Sequence, residues 1–163
     1  MLYELDIDYG LQNENICIDK ISKFFDEQLI KLDYYNKFDF TNISNSLLIE
    51  LKSRRCKISE YNDTIIPLSK LNKSKKIIEN KNKNKNKNKN KNKKKNKNKN
   101  KNKNKNKNKN KNIEIYFLFY FSNNDLYYWK YDVKANLRID NCNYRNEIKK
   151  NAYIPISVLT KIN

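Results

Sequence analysis

Apolar residues recur at helical spacing near the start of the chain and as short alternating or continuous runs further on. From Leu11 to Leu32, the residues Ile18, Ile21, Phe25 and Leu32 fall on one face at 100° per residue, with Leu11 and Leu29 flanking it. This predicts an amphipathic helix entered after a turn at Gly10. Glu14 lies inside the apolar stripe. A carboxylate there either reaches solvent near the helix start, where the helix dipole favours it, or points inward at something that needs negative charge.

Tyr35 to Thr41 and Ser46 to Lys52 read as strands, separated by the turn-like Asn42 to Asn45, so a hairpin is expected. Strict alternation puts Phe38 and Phe40 on one face of the first strand and Asp39 on the other. In the second strand Leu47, Ile49 and Leu51 share a face, while Leu48, Glu50 and Lys52 share the opposite one. Ser53 to Asp63 is polar and loop-like, and Ser69 to Glu79 predicts a second helix entered just after Pro67. Ile113 to Phe121 is almost continuously apolar, which predicts a strand buried on both faces. Ser122 to Asp125 is a turn, Leu126 to Tyr131 an aromatic strand pairing back, and Tyr153 to Ile156 a last short strand. The order α-β-β-α-β-β implies an α/β (α+β) fold: a small mixed sheet flanked by helices.

Composition changes this picture at one place. Residues 80–112 are almost pure alternating Lys-Asn, with nothing apolar to offset the entropy of ordering, and are expected to be a disordered insertion between two halves of one core, 1–79 and 113–163. Outside the tract about 130 residues remain, enough for a single modest core. Removing its 17 lysines leaves 19 basic residues against 18 acidic ones, so the formal charge of +18 belongs to the tract and not to the folded part. A basic arm of this kind can bind polyanions in a salt-dependent way. A two-residue repeat in a chain with one glycine also fits the slippage of AT-rich coding DNA, which would make it a tolerated insertion.

Cys17, Cys56 and Cys142 are widely spaced and there is no histidine, which disfavours zinc sites, disulfide frameworks and Ser-His or Cys-His catalysis. An intracellular, reducing compartment is expected, with no membrane span and no signal-peptide pattern. No haem or nucleotide cofactor is expected.

The remaining candidate chemistry is Asp39 followed, after ten intervening residues, by Glu50-Leu51-Lys52. Cleaving a phosphodiester requires a cation to neutralise charge on the phosphate oxygens and a water made nucleophilic near neutral pH; Mg2+ does both and prefers oxygen ligands. Asp39 and Glu50 supply carboxylates, the Leu51 backbone carbonyl a further oxygen, and Lys52 an ammonium to position water and stabilise charge. The bland reading of the same residues is a surface salt bridge between Glu50 and Lys52 on an exposed strand face. Other acid-x-Lys triplets (Glu79 to Lys81, Asp132 to Lys134, Glu147 to Lys149) lack a preceding buried-type strand.

In this order, a helix with an inward glutamate, Asp39, Glu50-Leu51-Lys52, then helix and strands, the chain resembles the PD-(D/E)xK nuclease superfamily, with Phe38 where the name-giving proline would stand. The segments YGLQNE, KFDF, IELKSRR and YFLFYFSNNDLYYWKYD resemble small nuclease-like proteins of giant DNA viruses. The resemblance implies a restriction-endonuclease-like core and a metal-dependent endonuclease acting on DNA. It places Asp39, Glu50 and Lys52 at catalytic positions and Glu14 with Asp39, Glu50 and the Leu51 carbonyl at a Mg2+ site, Mn2+ being an alternative. It also allows a homodimer and, for a virus, the infected host cytoplasm or nucleus.

Arg54 and Arg55 are expected near the cleft mouth, where they either grip phosphates or form an ordinary solvated turn, Arg54 preferred for the former because it shares the parity of Lys52. Lys70 and Lys73 could contact the nucleic-acid backbone or simply form a solvated helix face. Tyr127, Tyr128, Trp129 and Tyr131 could stack on bases, but aromatic strands more often form core. The competing function is a catalytically inactive nucleic-acid-binding module that uses the Lys-Asn arm.

Overall fold

A computed structural model describes the chain outside Met1, Tyr34, residues 96–111, Arg145 and Asn146. The first helix, α1, spans Leu2–Phe25, so it starts earlier and stops sooner than the apolar stripe suggested. Gly10 lies inside it, with no atom within 4 Å of where a Cβ would stand, and marks no turn. A lone glycine costs a helix only about 1 kcal/mol, which the turns on either side absorb. The stop is a left-handed cap: Asp26 takes φ 49°, its N–H donates to the Lys23 carbonyl, and the Glu27 N–H donates to the Ser22 carbonyl. Leu29 and Leu32 therefore leave the helix although they match its period, and Leu29–Lys31 becomes a strand, β1.

Strands β1, β2 (Phe40–Asn42) and β3 (Leu47–Ser53) form an antiparallel meander. The expected hairpin is β2–β3, closed by Asn45 at φ 50° and by the Asn42 side-chain oxygen, which accepts the N–H groups of Ser46 and Leu47. β2 is shorter than the aromatic run implied. Phe38 precedes the strand and is buried in one core while Phe40 is buried in the other, so these two rings lie on opposite faces rather than sharing one. The chain bends across 35–39 and joins the ladder only at Phe40, where alternation begins.

After a 3-10 turn (Ile58–Glu60) come β4 (Asp63–Pro67), a short strand starting where the loop-like stretch ends and not expected from the sequence, and α2 (Leu68–Lys95). α2 carries on from its packed first turns into the Lys-Asn tract; the rest of the tract, 96–111, lies outside the described residues. β5 (Glu114–Tyr120) then runs parallel to β3, β6 (Leu126–Lys130) turns back beside it through Asn124 at φ 62°, and β9 (Thr160–Ile162) adds the last strand. The result is a mixed six-stranded sheet in the order β1-β2-β3-β5-β6-β9. Between β6 and β9, β7 (Arg138–Tyr144) and β8 (Glu147–Pro155) pair with β4 in a second, antiparallel three-stranded sheet. The sequence suggested one small sheet; the described residues form two.

The central sheet is covered on both faces. On one, Cys17 and Ile21 of α1 pack with Phe40, Ile49, Leu51 and Leu118. On the other, Leu71 of α2 and Ile66 and Ile154 of the second sheet pack with Phe117 and Phe119. β5 is buried from Ile115 to Phe119, as a central parallel strand must be. The fold is thus α+β with a mixed central sheet and two helices. Among the described residues no helix is long and apolar enough to cross a membrane.

Candidate active site

The site lies where the β2–β3 ladder ends. Register places Phe40 opposite Ile49, so an uninterrupted ladder would set Phe38 opposite Leu51. The chain bends away first, and the side chain of Asp39 takes over: its Oδ2 accepts the Leu51 N–H at 2.6 Å. The Asp39 N–H donates to the Ile49 carbonyl at 2.9 Å, and its carbonyl accepts the Leu32 N–H at 2.8 Å. Asp39 is therefore fixed through backbone and side chain together. Because N–H and C=O of one strand residue leave by the same edge, the Leu51 carbonyl projects beside Asp39 too.

Glu50, one step out of phase with Ile49 and Leu51, faces the α2 side of the sheet and is fully buried, at 0 % exposure. A bare carboxylate there would be prohibitively costly. Lys52, two residues on and hence on the same face, brings its ammonium within 2.5 Å of Glu50 Oε1. Lys70, from the first turn of α2, donates to Glu50 Oε2 at 2.7 Å and to the Lys37 carbonyl at 2.8 Å. Each Glu50 oxygen thus has its own lysine ammonium, Lys52 at Oε1 and Lys70 at Oε2. The pairing of Glu50 with Lys52 is real, but it is buried and not the exposed surface bridge of the bland reading.

Asp39, Glu50, Leu51, Lys52 and Lys70 line one wall of a cleft of about 1020 Å³, and Tyr9, Gly10 and Glu14 of α1 line the facing one. Burial pushes the Asp39 carboxyl up to about 7, the neighbouring Glu50 charge adds to the rise, and Lys52 and the Leu51 N–H only partly offset it. Glu14 lines the cleft as the inward reading of the helix stripe required, and is held by Lys31 at 3.0 Å. Among the described residues no three acidic or cysteine side chains cluster at metal-binding spacing, and the Glu14 charge adds a small further rise at Asp39. Two carboxylates, a carbonyl and retained waters form an oxygen donor set suited to Mg2+.

The basic residues sort differently from the expectation. Arg55 is at the cleft mouth, 60 % exposed, paired with Asp6 Oδ1 at 2.6 Å and lying over the Tyr9 ring. Arg54 is not at the mouth. Its parity with Lys52 carries it under β4, where Nε donates to Thr64 Oγ1 at 3.0 Å, Nη2 donates to the Ile65 carbonyl, and the guanidinium packs on Phe119. It is a tie between the two sheets. Arg54→Ala is accordingly expected to cost about 2–4 kcal/mol in urea unfolding, from two charged-donor hydrogen bonds and lost packing. Lys70 serves Glu50 instead of lying free on a helix face, while Lys73 is exposed. Trp129 is buried and stacked on Phe117, and Tyr127, Tyr128 and Tyr131 pack against the two cores, so these aromatics belong to the interior. The cysteines are free, and burial pushes the Cys17 thiol up to about 11, which leaves it inert.

No family model matches the chain, and no curated protein or solved structure matches it either.

Proposed function

We propose that the protein is a metal-dependent endonuclease of the PD-(D/E)xK type, with a restriction-endonuclease-like core, that hydrolyses DNA phosphodiester bonds in the cleft between α1 and the β2–β3 hairpin. The observation that carries this reading is the meeting of Asp39 with the Leu51 amide at 2.6 Å, beside a buried Glu50 that Lys52 approaches to 2.5 Å. The element order supports it: a helix lining the cleft, a three-strand meander bearing the acids, a crossover containing α2, and a parallel return strand.

Asp39, Glu50 and the Leu51 carbonyl would hold Mg2+, which when bound neutralises phosphate charge and lowers the pKa of water. Lys52 is only partly buried and lines the cleft, so its ammonium, paired with Glu50 on one side, would orient the attacking water and stabilise charge on the phosphate. Glu50, held by Lys70 on its other oxygen, keeps its orientation while Lys52 acts. Arg55 at the rim is placed to meet the strand entering the cleft.

The test is a panel of supercoiled plasmid, linear duplex, single-stranded and four-way-junction DNA with Mg2+, Mn2+ or chelator. Cleavage of at least one DNA substrate is expected, dependent on the divalent ion and absent with chelator. Deleting 81–111 is expected to leave that cleavage intact and to weaken only low-salt, non-specific binding. Metal-independent binding that vanishes with the deletion, without cleavage of any substrate, would favour the binding module instead.

A further inference from the structure

Lys70 makes two hydrogen bonds that link the segment bearing one acid to the strand bearing the other. Its ammonium donates to the carbonyl of Lys37, two residues before Asp39, and to Glu50 Oε2. It does so from the first turn of α2, a turn with no acidic residue, where the helix dipole disfavours a cation. Only its acceptors compensate that placement. Lys52 sits on the other Glu50 oxygen at 2.5 Å.

We infer that Lys70 is a positioning residue which braces Asp39 and Glu50 at the spacing a divalent cation needs, directing Glu50 Oε1 to the cation by holding Oε2. The inference rests on the proposed metal site and adds to it a residue that touches neither metal nor substrate. Outer partners of ligating carboxylates typically tune metal affinity by about 10–100-fold. A lysine that gripped DNA would act differently, weakening DNA affinity and lowering its salt dependence by about one contact while leaving metal affinity alone.

The experiment is calorimetric titration of the full chain with Mn2+ alone, in wild type, Lys70→Met, Lys70→Gln and Lys70→Arg, with circular dichroism to confirm folding; two neutral variants guard against one failing to fold. Mn2+ affinity is expected to fall about 10–100-fold in the neutral variants. Lys70→Arg, which keeps charge and donors, is expected to recover most of it. In parallel cleavage assays the half-saturating Mn2+ concentration rises in the neutral variants while the KM for DNA at saturating metal is little changed. Wild-type binding with equal affinity in folded Lys70→Met or Lys70→Gln would overturn the brace and leave the metal site standing. No Mn2+ binding by wild type would overturn the metal site itself, and the brace with it.

Discussion

Lys52→Ala is expected to abolish Mg2+-dependent cleavage, by about 10²–10³-fold or more, in a protein that still folds. Folding survives because Lys70 continues to hold Glu50, so the buried carboxylate is not left without a counter-charge. Asp39→Ala should remove activity to the same extent through a different loss, that of a metal-binding carboxylate and of the acceptor for the Leu51 amide. Both variants are to be measured at saturating DNA and a series of Mg2+ concentrations, with thermal unfolding alongside. Added metal should recover neither in full, since Lys52 supplies a charge that the cation does not, and Asp39 supplies a ligand. Full activity in either variant would remove the mechanism.

The largest stability effects should have opposite signs at the two acids. Glu50→Ala strands two ammonium groups, one of them at the unfavourable end of a helix, and empties a buried position. It is expected to cost about 3–5 kcal/mol in urea unfolding. A loss below about 1 kcal/mol would mean that the ion cluster is not formed in solution. Asp39→Asn should instead stabilise the metal-free protein at alkaline pH. The Asp39 carboxyl titrates near 7 in the folded chain against an ordinary value of 3.8, so folding binds its proton more tightly. Below pH 4 both states are protonated and the shift contributes nothing. Between pH 4 and 7 the folded state is progressively penalised, and above 7 the penalty is complete, a few kcal/mol at most. Wild type in chelator should therefore lose stability relative to Asp39→Asn as pH rises from 4 to 8. Mg2+ should close the gap, because a bound cation favours the ionised carboxylate. A gap that is flat with pH would contradict the burial of this group beside Glu50.

The parts of this account that were legible in the sequence are those set by short-range pattern. The alternation in Leu47 to Lys52, the apolar run at Ile115 to Phe119 and the asparagine turns fixed β3, β5, β6 and the hairpin, and with them the Asp39, Glu50 and Lys52 trio. What was not legible depends on tertiary context. Leu29 and Leu32 satisfy the helical period, and only the cap at Asp26 removes them from α1. β7 and the outer half of β8 carry mostly exposed, polar residues, so no alternation announces them; they pair with each other, and only the inner half of β8 is in register with β4. Phe38 and Phe40 share parity but enter different cores because the chain bends between them. The contact of Lys70 with Glu50 was not legible: one lysine among so many carries no signal of its own, and only the packing of α2 brings the two together. A weak hint existed, a lysine in the first turn of a helix without an acid nearby, which implies an anion supplied from elsewhere. Arg54 failed for a related reason, since strand parity gives the face but not what lies over it.

The most direct test is a crystal of the full chain grown with Mn2+, located by its anomalous scattering. The account requires one peak bonded to Asp39 and to Glu50, with the Leu51 carbonyl beside it. A peak elsewhere on the molecule, or none in this cleft at millimolar Mn2+, with Lys52 and Lys70 still closed on Glu50, would contradict it.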